Sequence, residues 1–311
     1  MDETRLTSLL RHNDVPRVSI VVLNWNGKHE TVACLESLSH ISYPNYEVIV
    51  VDNGSTDGSV EQFKACYPEI KVIENHENLG FAEGTNVGIR AALQEDTEYV
   101  LLLNNDTIVD PRFLDELINV AEREPRVGFA GPKIYYYDGN GRGRKDVINS
   151  VGAKLDMWTG RAWPVGDREI DGGLYDQVRL VDTLIGSCLL VKKKVIAEIG
   201  LLDSKFFTYW EETDWCWQGH KAGYTSIYVP QAKIWHKYAA SSSGRPSVYY
   251  VTRNRFWFMR KNALKRQYFT FLMWFFLHDF PLQCAHMLRL RDLDSMRTYC
   301  KAVFDGLAQY A

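Results

Sequence analysis

The chain has 311 residues, of which 46% are hydrophobic and 24% are charged, as is ordinary for a globular protein. Its net charge of −3 argues against a nucleic-acid-binding protein, which would be strongly basic. The charge is uneven, because residues 245–311 hold eleven Lys and Arg against four Asp and Glu, which leaves −10 for residues 1–244. A basic C-terminal region on an acidic body predicts a local anionic partner, such as a membrane surface.

Neither the cysteines nor the N-terminus indicates an exported protein. The six cysteines form no C-x-x-C pair and have no zinc-site spacing, so we expect a reducing compartment. The N-terminal segment MDETRLTSLLRHND lacks the apolar core of a signal peptide. No apolar stretch reaches the about 18–20 residues that span a bilayer. These features together predict a cytoplasmic protein.

Strand-like and helix-like segments alternate from Val18 onward. Buried apolar runs predict strands at residues 17–25, 46–52, 70–75, 98–106 and 126–137. Apolar residues at helical spacing predict helices at residues 29–40 and 81–95, and a further helix runs from Pro111 to about Glu124. This alternation predicts an α/β protein with a mostly parallel sheet that helices cover on both faces.

The pattern changes after residue 137. Residues 138–180 are dense in Gly, Asp and Arg, which predicts an irregular or antiparallel insert. Residues 181–200 return to a strand and a helix, and residues 211–230 predict a helix, a turn and a strand. The segment SSSG at residues 241–244 predicts a loop, after which the chain is helical, aromatic and basic.

Polar side chains follow the predicted strands at the points where these leave the core. Asn24 and Asp52 end the first two strands, and VLLLNNDT ends in Asn104, Asn105 and Asp106. Turns are the simple explanation, because Asn and Asp favour them. The alternative is a ligand site, because open α/β sheets bind ligands at the carboxyl ends of their strands. The sequence contains neither a P-loop nor a G-x-G-x-x-G motif after the first strand, so those two phosphate sites are unsupported.

Eight segments in order resemble the GT-A-fold glycosyltransferases of family 2, and within them the rhamnosyltransferase-type enzymes. These segments are VSIVVLNWNG, VIVVDNGSTDGSVE, NLGFAEGTNVGIRAA, VLLLNNDTIVDP, LIGSCLLVKKKVIAEIGLLDSKFF, YWEETDWCWQGHKAGY, VPQAKIWH and YYVTRNRFWFMRK. The resemblance covers residues 17–262. It implies a tail at residues 1–16, a GT-A domain with a Rossmann-like sheet at 17–240, and a helical, aromatic and basic extension at 241–311.

The resemblance implies sugar transfer with inversion from a nucleoside-diphosphate sugar. The donor would be a dTDP- or UDP-linked rhamnose-like or other hexose. The acceptor would be a hydroxyl of a glycan or of a polyprenyl-linked glycan in surface polysaccharide assembly. A non-catalytic sugar-nucleotide-binding subunit of a glycosylation complex is the alternative.

The resemblance also implies which residues bind the donor. The NND segment matches the D-x-D motif of the family, so Asp106 and the neighbouring His236 would bind a divalent cation, Mn²⁺ or Mg²⁺. Asn104 and Asn105 would contact the ribose or the phosphates. The remaining implied contacts to the nucleotide sugar are Leu23, Asn24, Trp25, Asp52, Asn78, Gly80, Asn86, Gly186 and Ser187.

The catalytic base is implied by the segment WEETD. The family has Glu followed by Asp where this chain has Glu211 and Glu212, so Glu212 replaces the usual base, and Asp214 is the second candidate. An inverting transfer needs such a carboxylate to accept the proton of the attacking hydroxyl. The simple alternative is an acidic first turn that interacts with the helix dipole.

The C-terminal extension contains an aromatic stretch between basic residues. Residues 268–277, YFTFLMWFFL, are apolar or aromatic except for Thr270, and Lys and Arg occur on both sides within residues 260–291. This combination is typical of helices that lie in a membrane interface. Packing against the body or against a second subunit in a homodimer is the alternative. We expect Pro281 to break or kink the helix.

Overall fold

The structure is a computed structural model that describes residues 15–137, 146–237 and 245–308. Its strands are β1 (Val18–Asn24), β2 (Tyr46–Asp52), β3 (Lys71–Glu74), β4 (Tyr99–Asn104), β5 (Thr107–Val109), β6 (Val127–Tyr136), β7 (Ile148–Ser150), β8 (Ala153–Asp156), β9 (Arg161–Pro164), β10 (Arg179–Val181), β11 (Cys188–Lys192) and β12 (Thr225–His236). Its α-helices are α1 (Lys28–Leu38), α2 (Ser59–Cys66), α3 (Gly80–Leu93), α4 (Phe113–Arg123), α5 (Lys193–Ile199), α6 (Glu211–Lys221), α7 (Arg245–Asn262), α8 (Lys265–Trp274), α9 (Phe280–Arg289) and α10 (Leu293–Ala308).

The main sheet has the strand order β10-β12-β6-β11-β4-β1-β2-β3, with β5 beside β12 and β7 beside β6. β1 pairs in parallel with β2 and β4, β2 with β3, and β6 with β12. β11 is antiparallel to both β4 and β6, so β1, β2, β3, β4, β6 and β12 run in one direction. The predicted mostly parallel sheet is confirmed for these described strands.

Two apolar clusters cover the two faces of the sheet. β4 contributes alternately to both, with Leu101 and Leu103 in one cluster and Val100 and Leu102 in the other. α1 and α4 pack in the first cluster, and α3, α5 and α6 pack in the second. A strand buried on both faces has no polar side, which explains the unbroken apolar run of β4.

The insert after β6 is antiparallel where the structure describes it. β7 pairs antiparallel with β6, β8 and β9 form a hairpin, and β10 pairs antiparallel with β12. Residues 138–145 and the SSSG loop predicted at 241–244 lie outside the described residues. The helix predicted from Pro111 begins at Phe113, because Pro111 belongs to the preceding turn and Arg112 is the N-cap.

The C-terminal helices share a core with the sheet domain. A third cluster joins Phe256, Phe258 and Phe271 of the extension to Phe206 and Trp210, which precede α6. The extension therefore packs directly against the segment that leads into α6. The domain boundary at residue 241 stays a prediction.

Of the predicted break or kink at Pro281, the break is wrong, and the kink stays a prediction. The chain is helical from α8 to α9 through a π-helical segment, Phe275–Asp279, and Pro281 lies in the first turn of α9. The helix continues past Pro281 because the π-helical segment before it alters the hydrogen bonding of the preceding turn, at the point where proline has no N–H to donate.

Gly88 provides a test of how closely α3 packs on the sheet. A Cβ atom at Gly88 would lie 2.3 Å from Val21 Cγ1 and 3.0 Å from Val51 Cγ2. We expect Gly88→Ala to lower stability, because overpacking costs about 1–3 kcal/mol and exceeds the gain in helix propensity of at most about 1 kcal/mol. Urea unfolding measures the change. Gly172→Ala is the control, since its Cβ meets no atom within 4 Å, and an equal effect of both changes would contradict the packing.

Candidate active site

The carboxyl ends of β1, β2 and β4 meet at one edge of the sheet. From β1 the chain extends outward to β2 and β3 and then returns to β4 on the other side of β1, so the strand order reverses between β1 and β4. Ligands of open α/β sheets bind at such a reversal. β11 runs in the opposite direction and begins at the same edge, with Cys188 opposite Leu103.

Asn24 ties these strand ends together beneath the surface. It is fully buried, and its Nδ2 donates a hydrogen bond to Asp52 Oδ1 at 2.8 Å. Its Oδ1 accepts hydrogen bonds from Thr31 Oγ1 at 2.8 Å and from Asn105 Nδ2 at 3.3 Å. Asp52 Oδ2 accepts a further hydrogen bond from the Ser55 N–H at 2.9 Å. The side chains of Asn24, Asp52 and Asn105 therefore shape the loops through internal hydrogen bonds.

Two further residues that were predicted to contact the nucleotide sugar also brace loops. Asn78 Oδ1 accepts hydrogen bonds from the Gly80 N–H at 2.9 Å and from Asn53 Nδ2 at 3.0 Å. Asn86 is buried and pairs with the backbone of Leu202, donating to its carbonyl at 2.9 Å and accepting from its N–H at 3.1 Å. These amides fix the path of the chain around α3.

Gly80 and Trp25 occupy different environments. Gly80 has a φ of +80°, and a Cβ atom there would lie 2.4 Å from Phe207 Cδ2, so both backbone and space require glycine. The Trp25 side chain is 57% exposed, which places it outside the core. Leu23 is half-buried in β1, opposite Asn104 of β4.

A cavity of about 510 Å³ opens beside these strand ends. Its walls come from the end of β4, the start of β11, the first turn of α6 and the end of β12. It brings together the following predicted site residues: Asn104, Gly186, Ser187, Glu212 and His236. Glu211, the other carboxylate of this turn, also lines it.

Asp106 forms a buried pair with His236, which lines this cavity. The pairing of β5 with β12 places Thr107 opposite His236, and Asp106 Oδ1 lies 3.1 Å from His236 Nε2. No hydrogen-bond donor reaches Asp106 Oδ2 within the described parts of the chain. A buried carboxylate oxygen without a donor is costly unless a cation binds it. The pair therefore fits a divalent cation, because carboxylate oxygen and imidazole nitrogen both coordinate such ions.

The described residues do not complete a coordination sphere by themselves. No group of three or more His, Cys, Asp or Glu suited to a metal occurs in residues 15–137, 146–237 and 245–308. A cation at Asp106 and His236 would therefore take its other ligands from a bound molecule. Phosphate oxygens are such ligands.

The segment before α6 is strained. Phe207, Tyr209 and Trp210 have φ angles of 64°, 67° and 78°, although none of them is glycine. Phe207 also has a ψ of −59°, and the Thr208 N–H donates to the Phe206 carbonyl at 2.8 Å, which together define a rare γ-turn. Such strain persists only where the surroundings impose it, and it concentrates at functional sites.

Asn254 imposes this conformation. Its fully buried Nδ2 donates to the carbonyls of Phe206, Thr208 and Tyr209 at distances of 2.8–2.9 Å. Asn254 was not among the predicted site residues. Its one signal was an isolated asparagine within the aromatic and basic run YYVTRNRFWFMRK. This contact fixes where α6 begins and where its first carboxylates lie.

The environment of the Glu211 and Glu212 carboxylates at the start of α6 disfavours their charged forms. Burial, and next the neighbouring Glu212 carboxylate, raise the pKa of Glu211 well above its usual value. Burial also raises the pKa of Glu212, but backbone N–H groups, including those of Thr213 and Gly186, act in the opposite direction. Backbone N–H groups therefore favour the charged form of Glu212 more than that of Glu211. A carboxylate with a raised pKa is a suitable proton acceptor near neutral pH.

Asp214 lies apart from the cavity, in a separate polar network. Its Oδ2 accepts from Lys261 Nζ at 2.8 Å, and its Oδ1 accepts from Asn262 Nδ2 at 2.7 Å and from Gln218 Nε2 at 3.2 Å. Lys261 also binds Asp203 at 2.7 Å. The network joins α6 to the end of α7, and it occupies both oxygens of Asp214.

The burial of Glu211 predicts a pH-dependent cost to stability. Because its pKa is raised in the folded state, the native protein keeps a proton that the unfolded chain releases above its ordinary pKa of 4.5. The contribution of Glu211 to stability therefore falls as the pH rises from that value through the raised pKa. We expect Glu211→Gln to stabilise the protein relative to the wild type at about pH 8 and much less at about pH 5.

Thermal unfolding of both proteins across this pH range measures the difference. Glu36→Gln is the control, because Glu36 is exposed on α1. A stability difference that does not grow with pH, or that equals the control, would contradict the buried state of Glu211.

Comparison with known proteins identifies the chain. The family described as "Glycosyl transferase family 2" matches residues 19–200. An N-acetylglucosaminyl-diphospho-decaprenol L-rhamnosyltransferase of Mycobacterium tuberculosis is 31% identical over 236 residues, which cover 71% of this chain and 76% of the relative. The low-salt glycan biosynthesis hexosyltransferase Agl10 of Haloferax volcanii is 26% identical over 219 residues, covering 70% of this chain and 65% of the relative.

Solved structures share the fold. GalNAc-T7 with UDP, GalNAc and Mn²⁺ superposes with a TM-score of 0.62 at 15% identity, over 77% of this chain and 47% of that chain. The mannosyltransferase PcManGT of Pyrobaculum calidifontis, with GDP-Man and Mn²⁺, gives a TM-score of 0.55 at 16% identity, over 96% of this chain and 76% of that chain. The predicted GT-A fold is confirmed. The chain belongs to glycosyl transferase family 2 and is a glycosyltransferase similar to the rhamnosyltransferases of that family.

Proposed function

We propose that this glycosyltransferase is a metal-dependent, inverting enzyme that moves a rhamnose-like or other hexose from a dTDP- or UDP-linked donor. The observation that carries the proposal is the cavity lined by both Glu212 and His236, the latter paired with the buried Asp106. Asp106 and His236 fit the divalent cation that a nucleoside diphosphate needs, and Glu212 fits the role of proton acceptor.

Glu212 acts as the catalytic base in this proposal. Its carboxylate accepts the proton of the acceptor hydroxyl while the hydroxyl oxygen bonds to the anomeric carbon. The bond from that carbon to the nucleoside diphosphate breaks on the opposite face, so the configuration inverts. The Gly186 N–H favours the charged form of the Glu212 carboxylate and so lowers its pKa. A bound Mn²⁺ or Mg²⁺ would neutralise the charge that builds on the departing diphosphate.

The other predicted residues form the donor site in two ways. Asn104 is half-buried on the cavity wall, and Gly186 and Ser187 lie beside it, so these three contact the donor. The exposed Trp25 ring packs on the base, a contact of about 1–3 kcal/mol by analogy with nucleic-acid stacking. The residues that shape the surrounding loops are Leu23, Asn24, Asp52, Asn78, Gly80, Asn86 and Asn105.

The acceptor in this proposal is a lipid-linked glycan. The 31% identical relative is named for a sugar linked through a diphosphate to decaprenol. We infer that this chain also uses a polyprenyl-diphosphate-linked sugar and works as a peripheral protein at the cytoplasmic face of a membrane. Surface polysaccharide or glycan assembly would consume its product.

A non-catalytic sugar-nucleotide-binding subunit is the second candidate function. The replacement of the usual Asp by Glu212 favours it, because the extra methylene moves the carboxylate by roughly an ångström, a scale that matters for attack geometry. Both candidates bind a nucleotide sugar, so only turnover separates them.

A pair of variants distinguishes catalysis from binding. We expect Glu212→Gln to lower transfer by about 10²–10⁴-fold, because the base is lost, and to keep nucleotide and Mn²⁺ binding. We expect Asp106→Asn to lose both sugar transfer and the binding of nucleotide with Mn²⁺, because the cation loses its charged ligand. Turnover of the sugar donor, with and without EDTA, measures transfer. A thermal shift with UDP or dTDP and Mn²⁺ measures binding, since a ligand at 100 times its Kd stabilises the folded protein by about 2.7 kcal/mol.

The outcomes of these assays separate the enzyme from the non-catalytic subunit and test metal dependence. Wild-type binding without turnover would favour the non-catalytic subunit. Full turnover of Asp106→Asn in EDTA would refute metal dependence. Asp214→Asn serves as a comparison, because Asp214 lies outside the cavity and its loss should reduce stability more than the chemical step.

The C-terminal helices provide the surface for membrane contact in this proposal. Large apolar side chains on them are exposed to solvent: Phe269 at 65%, Leu277 at 72%, Leu282 at 56% and Leu290 at 63%. Residues 245–311 carry a net charge of +7, which suits an anionic lipid surface. The described helices include none that is long and apolar enough to cross a bilayer. We therefore propose that residues 260–291 lie in the interface of an anionic membrane.

Vesicle co-sedimentation tests the membrane surface. We expect Phe269→Glu combined with Leu277→Glu to weaken binding to anionic phospholipid vesicles by about tenfold or more, because each buried apolar side chain contributes about 1.5–3 kcal/mol. Leu174→Glu is the matched control, being 76% exposed and outside these helices. Equal binding of both variants would contradict the proposal. A homodimer that the double variant dissociates would assign the surface to a second subunit instead.

A further inference from the structure

A second cavity lies beside the active site. It encloses about 360 Å³ between the β8–β9 hairpin, α7 and α9. Val248 and Val251 of α7 line both this cavity and the one that contains Glu212. Trp210, which directly precedes the two carboxylates of α6, also lines the second cavity. One ligand can therefore extend from Glu212 into the second cavity along a single face of α7.

The polar part of this second cavity consists mainly of hydrogen-bond donors. Arg161 from the hairpin, Arg255 from α7 and Gln283 from α9 line it. The Arg255 side chain is only 14% exposed, and its Nη2 donates to the Thr159 carbonyl at 2.6 Å and to Asp279 Oδ2 at 2.7 Å. Its buried Nε has no acceptor among the residues that the structure describes. A buried guanidinium N–H without an acceptor is costly, so a ligand oxygen here would be favourable.

The charge of the cavity favours an anion. Two guanidinium groups face one carboxylate, and that carboxylate, Asp279, is already paired with Arg255. Arg161 is exposed on the opposite wall and adds a further positive charge. Arginine donors in a fork geometry suit phosphate oxygens, whereas a neutral sugar gains less from them.

The remaining wall and its surroundings are apolar. Phe275 and Met287 line the cavity, and Leu282 and Leu288, neighbours of Gln283 and Met287 on α9, are 56% and 53% exposed. An anion-binding cavity beside a helix that carries exposed leucines suits a ligand with a charged group at one end of a hydrocarbon chain. A free nucleotide or an inorganic ion has no such chain.

We propose that this second cavity binds the diphosphate of a polyprenyl-diphosphate-linked acceptor. Arg161 and the Arg255 Nε bind phosphate oxygens, the polyprenyl chain leaves along α9, and the acceptor sugar lies against Val248 and Val251 with its hydroxyl near Glu212. The proposal deepens the proposed function, on which it rests for the acceptor class. It assigns Arg161 as a specificity-determining residue for the acceptor.

Calorimetry with farnesyl diphosphate as the probe tests the proposal. EDTA is present throughout, so that the cation site of Asp106 and His236 does not contribute. We expect the wild type to bind the probe and Arg161→Gln to bind it about tenfold or more weakly, because a charge-assisted hydrogen bond is lost. Arg161 is exposed, so this variant should fold normally, whereas Arg255 is tied to Asp279.

Two matched variants make the result specific. Arg168→Gln removes the same charge from a side chain that is 82% exposed and outside the cavity, and it should bind like the wild type. Glu212→Gln should also bind like the wild type although it loses transfer, so a failed catalytic proposal and a failed diphosphate site give different results.

Two ligand controls identify the source of the diphosphate. Farnesol lacks the charge, and inorganic pyrophosphate lacks the chain, so both should bind more weakly than farnesyl diphosphate. Equal binding of pyrophosphate would overturn the assignment to a lipid-linked ligand. An absence of binding to the wild type, or equal binding to the wild type and Arg161→Gln, would overturn the site itself.

Discussion

The three hydrogen bonds from Asn254 to the segment before α6 are the contact on which the active site depends. This segment contains a γ-turn and three non-glycine residues with positive φ, a conformation that costs free energy at each residue. A buried amide that leaves no unsatisfied carbonyl in the turn offsets part of that cost. The C-terminal helices consequently support the candidate active site, since Asn254 of α7 holds the segment that leads into α6.

The acidic segment at the start of α6 divides into two functions. Glu211 and Glu212 line the cavity, where burial makes proton acceptance favourable, while Asp214 binds Lys261 and Asn262 and joins α6 to α7. A helix advances about 100° per residue, so the two positions between Glu212 and Asp214 turn their carboxylates about 200° apart, to opposite sides of α6. One acidic cluster thus contains both the base that we propose and an attachment between two helices.

The sheet and its ligand edge were predictable, because their signals are local in sequence. The apolar run before Asn104 predicted a buried strand, and Asn104 and Asp106 lie at its end as expected. The partners of Asn24 and Asn254 were not predictable, because each amide bonds to residues that only the folded chain brings near. The continuation of the helix past Pro281 was not predictable for a related reason, since the effect of a proline depends on the hydrogen bonding of the preceding turn.

The π-helical segment before Pro281 has a consequence for chain length. A π turn accommodates one more residue than an α turn, and it commonly corresponds to a single-residue insertion. Removal of one residue from Phe275–Asp279 would restore α-geometry and leave α9 facing almost the same way, because the wider turn already absorbs the extra residue. An extra residue without the wider turn would instead rotate α9 by roughly 100° about its axis and carry Gln283 and Met287 away from the wall that they share with Arg255. The π turn thus keeps the face of α9 toward this cavity although the helix holds one more residue.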